Sequence, residues 1–555
     1  MPPAPAVAAP QRIDPQRQPW PPGGQHPGPQ QPPRLSPHQE TDPHIGYDWQ
    51  GVPGQDYDAA TDAHPLPERG EFAEHASDTD EEPRPRRDHT ADAGAPKRGK
   101  KPLVTTLVLL LLLGAAGGTA AVPDVANRLA LPWAPNAPER PPPEPLAVRR
   151  SLIGPEQAVG APSPAGVSAA LEKAASSSAL GTLSGSVVDP VTDKVLWQQD
   201  AGKPLPPAST TKLLTSAAAL LSVDHTATLT TSVVEGPEPG SVVLVAGGDP
   251  TLSSASKGEA TAYTDAARLD DLVKQVRKSA GDVSTVYLDT SAYEGGSRAS
   301  GWVPGDAPST YAAPIEPGML DGGRTDPYND ESMRIGDPAG ALADEFADRL
   351  GAKVGGSAGS TARGAKVIGE VHSAPLPVLI EDLLTESDNV LAEAVARQVA
   401  IANDKPPSFD GAATATKQVL SDAGFDVSGV TLDDGSGLSS DNAIPATLLS
   451  DILAAAAGKP TDPTTAKLRP LLAGLPVAGG TGTLDDRYLG SGAQGKGWVR
   501  AKTGTLSGVN TLAGVVLTKS GRVLVFSLMS SGTNPLAARP ALDAVASSLR
   551  GCGCR

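Results

Sequence analysis

Histidine is almost missing from the part of this chain that has the composition to fold. Six of the eight histidines (His26, His38, His44, His64, His75 and His89) lie in the first hundred residues, which leaves His225 and His372 for any folded domain. A Ser-His-Asp triad is therefore poorly supplied. Cysteine is scarcer still, with Cys552 and Cys554 at the extreme C-terminus. A zinc site of His and Cys lacks ligands, and no metal site is expected. The two thiols read first as a frayed tail, with a small disulfide as the alternative if the tail faces an oxidising compartment. Basic charge is in deficit as well. The formal net charge is -17, which argues against nucleic acid as a general partner, because a phosphate backbone needs a basic surface. The first hundred residues are also poor in branched apolar side chains, yet they hold 20 of the 56 prolines. Such a segment cannot bury enough apolar surface to offset chain entropy, so residues 1–102 are expected to form a disordered tail.

A long uncharged apolar run then occupies residues 103–122. As a helix, those 20 residues span a hydrocarbon core of about 30 Å. Lys97, Arg98, Lys100 and Lys101 precede the run directly, and few basic residues follow before Arg128. The positive-inside rule keeps the tail in the cytoplasm and puts the rest outside. A cleaved signal peptide is the alternative, although the leader is far too long for an ordinary n-region. Either way residues 123–555 are exported, and a single-pass cell-membrane protein is the expectation. Residues 123–163, with Pro141-Pro142-Pro143, read as a semi-rigid stalk.

The exported part has strand and helix signals at both ends. A helix is expected over 163–175, strands over 182–188 and 195–199, and a buried Ala/Leu-rich helix over 213–221. Near the C-terminus, 498–506, 511–517 and 522–529 read as strands. Lys519-Ser520-Gly521 makes a hairpin turn, and a closing helix over 540–549 carries its proline in the first turn. This pattern predicts an α/β (α+β) fold whose antiparallel sheet is assembled from N- and C-terminal pieces and flanked by helices. Residues 223–376 mix strands (228–234, 241–246, 283–288) with a helix (266–279) and read as an inserted domain. Residues 377–460 are mainly helical. The catalytic domain is expected in two parts, 164–222 and 377–550.

Three short motifs carry chemistry. In Ser209-Thr210-Thr211-Lys212 the serine and lysine are one helical turn apart on one face. The lysine can take the serine proton if burial or a neighbouring cation lowers its pKa. Ser387-Asp388-Asn389 lies between two helical runs, where a turn aims Ser387 and Asn389 at one cleft; a plain helix cap is the bland reading. Lys502-Thr503-Gly504-Thr505 lies on an expected strand. Its cation and hydroxyls suit a carboxylate, and Gly504 would let a substrate backbone approach. Each motif has a decoy: Ser254-Ala255-Ser256-Lys257 in a polar loop, Ser440-Asp441-Asn442, and Lys519-Ser520-Gly521. The order and context of the three together are specific, and this set marks class A β-lactamases and penicillin-binding proteins.

On these residues the exported part resembles the D-alanyl-D-alanine carboxypeptidase/endopeptidase group of low-molecular-mass penicillin-binding proteins (class C, peptidase S13), in an actinobacterial-like form with an N-terminal anchor. Further stretches carry the likeness: 207–215, 247–252, 434–439, 475–484 and 500–508. The resemblance implies a penicillin-binding-protein/β-lactamase-like fold with a helical subdomain. It implies Ser209 as acylated nucleophile, Lys212 as base, Ser387 as proton relay and Asn389 as a holder of Lys212 and the substrate amide. Lys502, Thr503 and Thr505 would bind the terminal carboxylate, and the N–H groups of Ser209 and Thr505 would form the oxyanion hole. Peptidoglycan stem peptides are the implied substrate and β-lactams the implied covalent inhibitors, with no metal or organic cofactor. The insertion is shorter than in the best-known members. A serine β-lactamase is the alternative enzyme, disfavoured by the long insertion and by 434–439. A catalytically silent cell-wall binding protein is the other alternative, disfavoured by the complete motif set.

Overall fold

The N-terminal helix α1 (Pro164–Ala175) starts where its sequence provides a cap. The Ser163 hydroxyl accepts the Gly166 N–H at 3.0 Å, and Pro164 stands at the first position, where an N–H is not missed. These elements come from a computed structural model that describes residues 161–329, 331–358 and 364–554. The expected tail, the membrane helix at 103–122 and the stalk up to residue 160 lie outside the described residues. No helix among the described residues is long and apolar enough to cross a membrane.

After α1 come β1 (Thr182–Asp189), β2 (Lys194–Gln199), the two-residue β3 (Pro204–Leu205) and α2 (Thr211–Ser222). The middle of the chain supplies β4 (Thr230–Glu235), β5 (Ser241–Ala246), α3 (Leu269–Ala280), β6 (Thr285–Asp289), α4 (Pro338–Leu350), β7 (Lys353–Ser357) and β8 (Val367–His372). A helical stretch follows: α5 (Leu376–Thr385), α6 (Asn389–Ala402), α7 (Phe409–Asp422), the short β9 (Ile444–Pro445), α8 (Ala446–Ala457), α9 (Pro463–Leu468) and α10 (Pro470–Ala473). The chain closes with β10 (Val499–Leu506), β11 (Val509–Leu517), β12 (Val523–Ser531) and α11 (Pro535–Arg550).

The main sheet has the order β10-β11-β12-β1-β2, with every neighbouring pair antiparallel. N- and C-terminal pieces thus share one sheet, as the strand pattern predicted. Its strands β11 and β12 are buried on both faces. On one side α1 and α11 pack through Leu171 and Val545 against Val187 and Phe526. On the other, Ala513, Val525 and Met529 join the helical core around α2, α6 and α8. Helix α2 is buried along ten of its twelve residues, Thr211 to Leu220. A helix with no solvated face is a core helix, so any polar group it carries is desolvated.

A second sheet, β7-β6-β5-β4-β8, is built from the middle of the chain. Strands β5, β6 and β7 run parallel, while β4 is antiparallel to β5 and β8. Helices α3 and α4 cover it with Leu272, Val276, Leu342 and Phe346.

Two expectations at the C-terminus need correction. Helix α11 starts at Pro535, not Pro540, because Asn534 caps it by accepting the Leu536 N–H at 2.8 Å. Pro540 is therefore inside the helix. The intrahelical bond it removes is the one to the Leu536 carbonyl in the first turn, and Leu536 is 85% exposed. The final residues are not a frayed tail. Cys552 is buried and forms a disulfide with Cys554, with a Cα–Cα distance of 4.8 Å. The Cys554 carbonyl accepts the Ser163 N–H at 2.7 Å, which ties the end of the domain to the start of α1.

Candidate active site

Ser209 sits in a short 3-10 turn, Ala208–Thr210, that leads into the buried α2. The turn is held by hydroxyls. Thr210 Oγ1 donates to the Pro207 carbonyl at 2.6 Å, Thr511 Oγ1 donates to the same carbonyl at 2.9 Å, and Thr211 Oγ1 donates to the Ala208 carbonyl at 2.9 Å. Ala208 has φ +48, a left-handed conformation that costs an alanine energy and that the packing around it must impose. Two glycines make that packing possible. A Cβ on Gly504 would collide with the Thr511 hydroxyl and stand 2.9 Å from the Pro207 oxygen, and one on Gly437 would run into the Ala208 carbonyl. Gly504 thus makes room for the protein's own Ala208–Thr210 turn, where its sequence context had pointed to a substrate backbone.

Lys212 lies one turn beyond Ser209 and is fully buried. Its Nζ is 3.1 Å from Ser209 Oγ, 2.6 Å from Asn389 Oδ1 and 2.7 Å from the Ser436 carbonyl. Three segments far apart in sequence meet at this one amine. Burial pulls Lys212 down to about 8, against the upward pull of Asp434, Asp388 and Glu393. A lysine of that kind is a usable base near neutral pH.

In the second motif a helix cap adjoins a residue that holds Lys212. Asp388 caps α6 by accepting the Leu391 N–H at 2.9 Å. Its other oxygen takes Tyr263 Oη at 2.9 Å, Arg324 at 3.1 Å and Arg334 at 3.5 Å. Burial alone would raise the Asp388 carboxyl, but Arg334 and Arg324 outweigh it and hold the group well below the usual carboxylate range. Ser387 has φ +59, so the chain turns sharply there, and its hydroxyl has no hydrogen-bond partner among the described residues. Asn389 gives its oxygen to Lys212 and donates through Nδ2 to the Tyr311 carbonyl at 3.1 Å. Asp388→Ala removes the counterion of two buried arginines and the cap. It is expected to cost about 3–5 kcal/mol of stability, read as a lowered urea midpoint; an unchanged midpoint would refute this role.

Along β10, the third motif splits between faces. Lys502 is fully buried, with Nζ donating to the Thr503 carbonyl at 3.1 Å. Burial first, and the Lys212 charge second, push it well below its ordinary value, with Glu386 opposing. Thr503 shares a hydrogen bond with Thr483 Oγ1 at 2.8 Å. Thr505 accepts one from Arg539 Nη2 at 3.1 Å. All three motifs therefore border one centre, with Lys502 beneath the strand surface that Thr503 and Thr505 share.

The decoys lie elsewhere. Ser254 donates to Asp321 and Lys257 is exposed. Asn442 braces the loop at 434–439 by donating to Asp434 Oδ1 at 2.6 Å. The residues that hold this loop had no assigned task at the sequence level. Glu393 Oε1 accepts the Gly435 and Ser436 N–H groups at 2.9 and 2.8 Å, so it fixes the carbonyl that holds Lys212. Burial, reinforced by Asp434, pushes Glu393 up to about 7. Glu393 follows Asn389 by one turn of α6, a helical spacing that was a readable signal for a shared site.

The chain is similar to known proteins over most of its described residues. Residues 167–339 and 328–550 match the model of the D-Ala-D-Ala carboxypeptidase 3 (S13) family. Carboxypeptidase DacB of Mycolicibacterium smegmatis is 45% identical over 419 residues, covering 75% of this chain and 90% of that protein. A carboxypeptidase of Mycobacterium tuberculosis is 44% identical over the same length and coverage. Among solved structures, penicillin binding protein 4 (dacB) of Haemophilus influenzae aligns with a TM-score of 0.57 at 19% identity, over 70% of this chain and 99% of its own, which shows the shared fold. With the family model covering most of the described residues, the chain belongs to the D-Ala-D-Ala carboxypeptidase 3 (S13) family.

Proposed function

We propose that this protein is a serine D-alanyl-D-alanine carboxypeptidase that trims peptidoglycan stem peptides through an acyl-enzyme on Ser209. One observation carries the reading: the buried Lys212 amine contacts Ser209 Oγ, Asn389 Oδ1 and the Ser436 carbonyl at once. The amine has two fixed acceptors, so its remaining lone pair or proton is directed at the serine. Neutral Lys212 takes the Ser209 proton as Oγ bonds to the carbonyl carbon of the penultimate D-alanine. The C–N bond then breaks, and that proton passes through Ser387 to the leaving D-alanine nitrogen. Water hydrolyses the ester and restores Ser209. N–H groups of Ser209 and Thr505 hold the developing oxyanion, usually a large share of acyl-transfer catalysis. Thr503 and Thr505 meet the substrate's terminal carboxylate. β-Lactams enter the same path and stop at the ester.

The catalytic part works outside the membrane, anchored by residues 103–122, with the tail inside. The basic cluster at 97–101 supports that orientation. The Cys552–Cys554 disulfide suits an oxidising compartment.

The proton-accepting role of Lys212 is tested by pH. The active form is the neutral amine, so protonation removes activity at low pH. With a Lys212 value of about 8, kcat/KM for D-alanine release should climb about tenfold per pH unit below that point and level off above it. A flat profile between about pH 6 and about pH 9 would exclude Lys212 as base.

A further inference from the structure

We infer that Arg539, a residue of α11 outside all three motifs, is the cation that recognises the free carboxylate of the leaving residue, a role that rests on the carboxypeptidase reading above. Position alone favours Lys502. That lysine, however, is fully buried and spends its Nζ on the Thr503 carbonyl. A substrate carboxylate lying over the outer surface of β10 meets the hydroxyls of Thr503 and Thr505 first, and the cation beside them is Arg539.

The local geometry prepares it for that task. Arg539 Nη2 donates to Thr505 Oγ1 at 3.1 Å. A hydroxyl has one proton to give and two lone pairs to receive with. By accepting from Arg539, Thr505 keeps its own proton for an incoming anion. The Arg539 main chain is fixed as well. Its carbonyl accepts Arg487 Nη2 at 3.2 Å, and Arg487 is itself tied to Asp543 at 2.6 Å. Among the described residues no carboxylate pairs with the Arg539 side chain. The planar fork of its guanidinium matches a carboxylate. A cation hydrogen-bonded to Thr505, that residue's own hydroxyl proton and no internal counterion among the described residues together make a carboxylate seat. An exposed arginine often does nothing beyond solvation, and the experiment separates the two cases.

The full-length protein and its Arg539→Gln and Arg539→Lys variants are assayed on a pentapeptide ending in D-Ala-D-Ala and on the same peptide with a C-terminal amide. The wild type should prefer the free acid. Arg539→Gln keeps a donor for Thr505 but removes the charge, so the acid-to-amide ratio of kcat/KM should fall about 10- to 100-fold. Arg539→Lys should keep part of the preference. Because both substrates are cleaved by the same folded fraction, the ratio reports even if a variant is less stable. An unchanged ratio in Arg539→Gln, or equal cleavage of acid and amide by the wild type, overturns the inference. Cleavage of neither peptide by the wild type overturns the carboxypeptidase reading, and this inference with it.

Discussion

Ser209→Ala should lose D-alanine release by about 10,000-fold or more and should take up no labelled penicillin, while melting at the wild-type temperature. The serine side chain is half-buried and, among the described residues, makes one hydrogen bond, with Lys212, so little of the fold depends on it. Its turn is held by Thr210, Thr211 and Thr511, none of which the substitution touches. The effect must therefore be chemical. Persistent labelling of the folded variant would mean that another residue is acylated, and Ser254 is the first to examine because it opens a second Ser-x-x-Lys.

The next largest effect belongs to Lys212→Met, which keeps the volume and the buried surroundings but removes the base. Loss of general-base catalysis typically costs about 100- to 10,000-fold, and the upper end is expected here because the amine also organises Asn389 and the 434–439 loop. Stability should change far less than activity. The amine's desolvation is relieved, while the Asn389 oxygen and the Ser436 carbonyl lose their donor. Penicillin should then label Ser209 only slowly. A Lys212→Met enzyme that keeps more than about a tenth of wild-type kcat/KM would remove Lys212 from the base role.

The three motifs were legible because each combines a chemical pair with a local context: a buried helix start, a turn between helices and a strand. The sheet was legible for a similar reason. Strands β11 and β12 are largely apolar runs joined by the turn Thr518 to Gly521, and terminal runs of that kind pair with each other. Strand β7 was not legible, since all five of its residues are exposed and two are glycines. Helix α4 carried its signals, Asp337 as cap with Pro338 after it and Gly351 at its end, but alanines blur its apolar stripe.

Within the site, short-range pairs such as Ser209 and Lys212 follow from helical spacing. Long-range partners do not. That Ser436 would hold Lys212, or that Arg324 and Arg334 would clamp Asp388, depends on how loops from distant segments pack. The burial of Lys502 was hidden for another reason. Alternation on a strand says that residues 502 and 503 face opposite ways, but not which of the two faces is covered. Gly504 shows the same limit: a glycine marks a close approach, and only the structure identifies the approaching group as Pro207 and Ala208.

The covalent intermediate on Ser209 is the central step of the proposed reaction. A D-Ala-D-Ala pentapeptide is mixed with the enzyme and quenched in acid within the first turnovers, and the digest is mapped by mass spectrometry. The tetrapeptidyl ester should be found on Ser209, with one D-alanine released for each ester formed. Release of D-alanine by the wild type with the acyl group on another residue, or with no acyl-enzyme at any quench time, would contradict it.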